Sequence, residues 1–377
     1  MPNILMRLPP AKPTTYPISI EAGLLKKTKQ WLSQASSYSS VVIITDNNVK
    51  SLYANSLASQ LKKQHKKIVV ISLPAGEQSK SAPNKQKIET ILLKNQCDRA
   101  TLILALGGGV IGDLAGFTAA TYMRGIAFMQ LPTTLLAMVD SSVGGKTGIN
   151  TSLGKNLIGA FYQPKAVIAD IDCLHSLSEK EFINGLVEAL KYFLIYDKKQ
   201  FMWAKNNLAK IVSREKSFLQ KLIYHSVLIK SIIVQKDEKE NNLRMICNLG
   251  HTIGHALEKV SHYKVMHGYA VAFGILVEAK IAELLGFLNA DDFYMIQTVF
   301  AKLGILGHHY KKYSVEKILS ATKSDKKNRG GKTRYVLLER IGKINAFDNA
   351  FAQVVLDAVV RKAIKWVVAS NCKVASG

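Results

Sequence analysis

The sequence predicts an α/β chain of two domains, a parallel-sheet domain over residues 1–172 and an all-α domain over residues 173–377. Three observations carry this. All nine prolines lie at or before Pro164, leaving more than 200 residues without one, and proline is costly inside a helix. Four short apolar runs rich in β-branched residues punctuate the first half. A glycine loop closes the third run and opens a second apolar stretch of helical length.

From the N-terminus, Pro2, Pro9, Pro10, Pro13 and Pro17 break up any apolar signal-peptide core. The runs are Val41-Val42-Ile43-Ile44, Ile68-Val69-Val70-Ile71, Thr101 to Leu106 and Ala166-Val167-Ile168, the first three separated by amphipathic stretches rich in Lys and Gln. That alternation predicts strands of one parallel sheet. Gly107, Gly109 and Gly112 match G-x-G-x-x-G, with a strand before and a helix after. In this setting, a Rossmann-like one, backbone N–H groups and a helix N-terminus cradle a pyrophosphate. The loop follows the third run rather than the first, and no acidic residue lies at the usual downstream spacing, so a structural tight turn is the alternative. Asp46, just past the first run, is the upstream candidate for ribose hydroxyls.

Gly145-Lys146-Thr147 resembles the end of a P-loop, but Asp140 stands where the motif needs glycine. Lys146 and the Gly154-Lys155-Asn156 run then read either as an anion-binding patch or as solvated loop. After Asp170-Ile171-Asp172, Ser178-Glu179-Lys180-Glu181 has the pattern of a helix start, which sets the boundary near residue 173. The helix beyond carries Glu188 and Lys191 in an apolar setting, where a charged pair needs a partner. Residues 244–268 hold four histidines; His251 and His255, four apart, share a helix face with Glu258, and His267 follows a loop. Spacing alone favours the His251/His255 pair with Glu188 as a catalytic zinc-type site.

Composition narrows the class. With 48% hydrophobic residues the chain can bury a large core, which excludes disorder as its main theme. The net charge of +24 divides into +10 for residues 1–172 and +14 beyond, a spread without the clustering of a nucleic-acid footprint. Cys97, Cys173, Cys247 and Cys372 lie too far apart for a thiolate zinc motif and suit a reducing compartment. No apolar run reaches the roughly 18 residues of a membrane span, so the expectation is a cytoplasmic enzyme that binds neither membrane nor nucleic acid.

In order along the chain stand Gly107 to Asp113, Tyr122-Met123-Arg124-Gly125, Pro132 to Lys146, Gly154 to Phe161, Glu188-Ala189-Leu190-Lys191-Tyr192, Asn248 to Ala256 and Asp325-Lys326-Lys327. Together, over about residues 40–342, they resemble 3-dehydroquinate synthase, a sugar-phosphate cyclase of the shikimate pathway. The resemblance implies an NAD-binding Rossmann-like domain, a helical metal- and substrate-binding domain, a Zn²⁺ or Co²⁺ ion in the cleft, and a homodimer. It assigns the metal to Glu188, His251 and His267, and gives His255 proton transfer and phosphate contact. Lys146, Asn156, Asn248 and Lys326 or Lys327 would hold the phosphate, with Arg124 reaching in from a dimer mate. Lys230 and Arg244 would grip the substrate carboxylate, and Asp140, Lys155 and Lys191 the ring hydroxyls. Asp46, Glu77, Lys80, Gly108, Gly109, Asp113, Thr133 and Thr134 would line NAD. Tyr269 departs from the family, which usually has Glu there.

The implied reaction converts 3-deoxy-D-arabino-heptulosonate 7-phosphate to 3-dehydroquinate and phosphate. It proceeds by transient NAD oxidation, phosphate elimination, re-reduction and an intramolecular aldol closure. The rivals are a cyclase acting on sedoheptulose 7-phosphate or glucose 6-phosphate, and more distantly a metal-dependent alcohol or polyol dehydrogenase.

Overall fold

Unbroken apolar runs suit strands that are covered on both faces, and the computed structural model arranges them in that way. It describes residues 3, 5–6, 13–32, 38–63, 67–305, 307–323, 332–347 and 350–370. Six parallel strands, β1 (Ile18–Glu21), β2 (Ser40–Asp46), β3 (Ile68–Leu73), β4 (Thr101–Gly107), β5 (Ala127–Pro132) and β8 (Val167–Asp170), form one sheet in the order β1-β8-β5-β4-β2-β3. Alternate residues feed different cores: Val41, Ile43, Leu102 and Leu104 join one apolar cluster, while Val42, Ile44, Ile103 and Ala105 join the other. Helices α1 (Ala82–Lys94) and α2 (Gly109–Thr121) cover the second face. The first cluster continues without a break into the helical half.

Two strands escape the sequence pattern. β1 is four residues long and sits just beyond a proline-rich stretch, and β5 (AFMQLP) contains no β-branched residue. With β1 counted, the glycine loop follows the fourth strand, and β4 holds the centre of the sheet. Its neighbours β2 and β5 connect in opposite directions, so the loop lies where the strand order diverges, the place where such sheets bind ligands. An antiparallel hairpin, β6 (Lys146–Thr151) with β7 (Gly154–Phe161), packs on α2 and puts Lys146, Lys155 and Asn156 on strands rather than in a loop.

The second half holds α3 (Glu179–Tyr196), α4 (Lys216–Lys236), α5 (His251–Val260), α6 (His267–Leu284), α7 (Ala290–Lys302), α8 (Val315–Thr322) and α9 (Asp357–Ala369). It is not purely helical: Arg334–Tyr335 pairs with Gln353–Val354, and Leu338–Arg340 with Lys343–Ile344. These ribbons bury Tyr335, Leu338 and Ile344 in the core, and two- or three-residue strands carry too little pattern to be read from sequence. Helix α4 is long and apolar enough to cross a membrane, but half of its apolar window is buried inside the protein.

Glycines set how closely the helices approach. A Cβ on Gly268 would lie 2.1 Å from the Asn184 carbonyl oxygen, and one on Gly185 2.3 Å from the Leu136 nitrogen. Gly250, at φ +78°, lies against the Val271 carbonyl, and a Cβ on Gly274 would sit 1.9 Å from the Gly250 oxygen. Backbones on both sides leave nothing flexible to give way. Gly274→Ala is therefore expected to force α5 and α6 apart and to destabilise the protein by about 1–3 kcal/mol, read as a lower midpoint in thermal or denaturant unfolding. An unchanged midpoint would contradict this packing.

Candidate active site

Glycine contacts draw three helices onto one point. Glu188 projects from α3, His251 opens α5 and His267 opens α6, and their ligand atoms lie within 4.8 Å of one another. Glu188 Oε1 is 3.7 Å from His251 Nε2 and 3.6 Å from His267 Nε2. The Glu188 side chain is fully buried, and neither of its oxygens receives a well-formed hydrogen bond among the described residues. His251 Nδ1 lies 3.1 Å from the Leu249 carbonyl, which leaves Nε2 as its ligating nitrogen. A tetrahedral zinc ion with bonds of about 2.0–2.1 Å needs donors about 3.3 Å apart. Two imidazoles and an orphaned carboxylate oxygen at nearly that spacing fit a divalent metal. His255, one turn beyond His251, stands outside this set and lies instead with Glu258 and His267. The i,i+4 pair shares a helix face, but it is α6 that brings a second ring, His267 rather than His255, into the group around Glu188.

Each acid here has a basic neighbour. Lys191 forms an ion pair with Glu188 Oε2. Burial pushes the Glu188 carboxyl up, but the Lys191 ammonium and His267 outweigh it and hold it below the usual range. Burial likewise opposes the charge on Lys191, and Glu188 with Asp140 outweighs it and keeps that pKa raised. Asp140 accepts hydrogen bonds from Lys230 and, at 2.6 Å, from the Tyr192 hydroxyl; burial opposes its charge, but Lys230 and Lys191 bring its pKa far down. Arg244 is buried and donates to the Gly144 and Glu238 carbonyls. Lys146 pairs with Glu240, which also accepts from Asn248 Nδ2 at 2.8 Å. Lys155 donates to Glu258 Oε1 at 3.1 Å.

On the sheet side, Gly108 caps α2 and Gly109 begins it. A Cβ on Gly109 would meet Ser141 Oγ at 2.8 Å, so a side chain there would have to displace that hydroxyl. Thr133 Oγ1 is buried without a hydrogen-bond partner among the described residues, and Thr134 Oγ1 accepts from Ala137 N. Ile44 pairs with Ala105, so Asp46 ends its strand beside Gly107; its carboxylate caps the next turn through the Asn48 and Val49 N–H groups. Lys80 binds both Asp113 and Asn156, burial raising the Asp113 pKa despite the lysine, and Glu77 accepts from Asn150 Nδ2 at 2.7 Å. A bare helix N-terminus with a buried hydroxyl awaiting a partner fits a dinucleotide.

Arg124 is not brought to this cleft within one chain. It is exposed, at φ +69°, between α2 and β5, a helix length of about 20 Å from the glycine loop. Lys326 and Lys327 lie outside the described residues. Sequence reasoning overlooked Tyr192, Glu240 and the clamp role of Glu258, together with Asn184 and Glu278, whose side chains accept from Gly268 N and Gly250 N at 2.6 Å. All but Glu240, which sits in a charged turn, are polar residues in an apolar helix or beside a glycine, a signal that burial without a partner would be costly.

Family models described as 3-dehydroquinate synthase N-terminal and C-terminal match residues 70–184 and 185–328. A 3-dehydroquinate synthase of Acidithiobacillus ferrooxidans is 46% identical over 329 residues, covering 87% of this chain and 90% of its own length. One of Thermodesulfovibrio yellowstonii is 43% identical over 331 residues, covering 88% and 92%. Among solved structures, a 2-deoxy-scyllo-inosose synthase complexed with carbaglucose-6-phosphate, NAD⁺ and Co²⁺ superposes with a TM-score of 0.86 at 25% identity, covering 92% of this chain and 95% of that one.

In the metal-free chain His267 bridges two carboxylates. Burial works against its charge, but the Glu188 and Glu258 contacts prevail and raise its pKa to about 10. A raised histidine pKa stabilises the fold fully below its ordinary value of about 6.5, and that contribution disappears as pH rises towards about 10. Metal-free protein is thus expected to lose stability progressively across that window, with His267→Gln flattening the loss. Unfolding midpoints measured from pH 6 to 10 test this, and identical slopes in the two proteins would refute it.

Proposed function

This chain belongs to the 3-dehydroquinate synthase family, and from that premise we propose that it converts 3-deoxy-D-arabino-heptulosonate 7-phosphate into 3-dehydroquinate and phosphate, as a carbon–oxygen lyase dependent on NAD and a divalent metal. The observation that carries the residue assignment is the Glu188–His251–His267 donor set, Glu188 and His251 buried and His267 half-buried, with Lys191 paired to Glu188 and Lys155 to the Glu258 beside His267. When bound, NAD⁺ would accept and later return a hydride, and zinc or cobalt held by the three donors would stabilise negative charge on a substrate oxygen.

The chain's own groups bind and orient. Lys146, Asn156 and Asn248 carry amide or ammonium donors for the phosphate, and Lys230 with Arg244 would take the carboxylate, charge-assisted contacts that fix the ligand end to end. Buried Lys191 and half-buried Asp140 would meet ring hydroxyls, and the low exposure of the lysine strengthens its contact. His255 is assigned the proton transfer: its ring centroid lies 5.4 Å from that of His251 and 6.0 Å from that of His267, beside the metal donors but outside them. Asp46, Glu77, Lys80, Gly108, Gly109, Asp113, Thr133 and Thr134 form the NAD side. The division of labour falls at residues 172/173, cofactor on the sheet half and metal on the helical half. Arg124, remote from its own cleft, would serve the partner's site in a homodimer. The free thiols Cys97, Cys173 and Cys247 suit the cytoplasm.

Purified protein with NAD⁺ and Zn²⁺ or Co²⁺ is expected to release phosphate and form dehydroquinate from the heptulosonate phosphate without net NADH. Turnover on sedoheptulose 7-phosphate instead, or accumulation of NADH, would overturn the reading. His251→Ala should abolish metal binding, measured by chelator competition. His255→Ala should retain the metal and lose at least about 100-fold in turnover, the usual scale of general acid–base assistance. Loss of metal from the His255 variant would mean the ligand set is wrong.

A further inference from the structure

One carboxylate joins the metal donors to the hairpin that faces the cofactor side. Glu258, on the last turn of α5, is buried; its Oε2 lies 3.4 Å from His267 Nδ1, while its Oε1 accepts from Lys155 Nζ at 3.1 Å. Lys155 belongs to β7, from the other half of the chain, and its ammonium also lies 4.4 Å from the centroid of the Tyr263 ring. The turn that presents that ring is unusual. His262 (φ +53°) and Tyr263 (φ +59°) are consecutive non-glycine residues in the left-handed region, a conformation that costs energy for each. The turn is tied back to Glu258 itself: Tyr263 N and Ser261 Oγ both donate to the Glu258 carbonyl, at 2.7 and 2.9 Å. Side chain and main chain of one residue therefore organise both walls of the lysine's seat.

We infer that Glu258 is a positioning residue with two simultaneous tasks, fixing the His267 ring with Nε2 towards the metal and seating Lys155, together with Tyr263, against the substrate. The inference rests on reading His267 as a ligand and Lys155 as a substrate contact. An Nδ1–H bonded to a carboxylate fixes the tautomer and the ring plane and makes Nε2 the stronger donor. Lys155 held between a carboxylate and an aromatic face keeps its charge and loses little freedom when a ligand arrives. Because the two oxygens of one group serve the two tasks, disturbing it affects metal and substrate together, whereas removing the aromatic wall affects the lysine alone.

The test measures metal dissociation constants by chelator competition with Co²⁺ or Zn²⁺, without turnover, alongside KM and kcat of the loaded enzyme. E258Q is expected to weaken metal binding by roughly 10–100-fold and to raise KM several-fold. Y263L should raise KM while leaving metal affinity at the wild-type value. K155M should raise KM, and adding E258Q to it should raise KM no further, the signature of a shared contact. Wild-type metal affinity and KM in folded E258Q would overturn the inference. Should E258Q fail to fold, E258D keeps the charge but shortens the reach, and is expected to show the same paired loss; wild-type values there would overturn it equally. H267A is the separate control: if it binds metal normally, the ligand assignment has failed rather than the role of Glu258.

Discussion

A carboxylate with no exposed surface, whose oxygens receive no well-formed hydrogen bond among the described residues, is the constraint around which this protein is arranged. Glu188 cannot stay charged in an apolar helix bundle without help, because burial of an uncompensated ion costs many kcal/mol. Its compensation is local. Lys191 lies one helical turn away, and His251 and His267 close in from two other helices. Truncating one member would strand the others' charge, a loss of about 3–5 kcal/mol for a buried pair.

Meeting that constraint requires backbones closer than ordinary side chains permit. Gly268 adjoins His267 and touches the main chain of Asn184, while Gly250 adjoins His251 and touches α6 near Gly274. The donors are thus carried on the residues next to the closest contacts, where packing leaves least play. Asn184 and Glu278 then accept the N–H groups of these same two glycines, so that the tight crossings do not leave backbone donors unpaired. Ligand geometry and helix packing are here one problem with one solution.

This explains what could and could not be read from the residues in order. The parallel sheet was legible because strands covered on both faces leave uninterrupted β-branched runs, as in Val41 to Ile44. β5 was not, since its burial rests on Phe128, Met129 and Leu131, side chains equally at home in a helix. The resemblance named Glu188, His251 and His267, but spacing alone favoured His255, because a 3.6-residue period describes one helix and says nothing about which neighbour approaches it. The double duty of Glu258 was beyond reach for the same reason: its partners lie 9 and 103 residues away. A charged residue on an apolar helical face marks a place where something must come, without saying what.

The net charge of +24 takes on a different meaning once the cleft is seen. Among the described residues, five of its lysines already face an acid: Lys80 with Asp113, Lys146 with Glu240, Lys155 with Glu258, Lys191 with Glu188 and Lys230 with Asp140. These lysines are balanced pair by pair, while buried Arg244 is held, among the described residues, by backbone carbonyls alone, so the net charge of the chain is a poor guide to the charge of the site. A ligand bearing phosphate and carboxylate would therefore bind by exchange, taking over lysine contacts now made by carboxylates. Such exchange costs less desolvation than burying a naked cationic pocket, and it favours ligands whose anionic groups match the acids in position, not in charge alone. Recognition of this kind depends on geometry, which composition does not carry and which only the pairing of residues across the two halves of the chain sets.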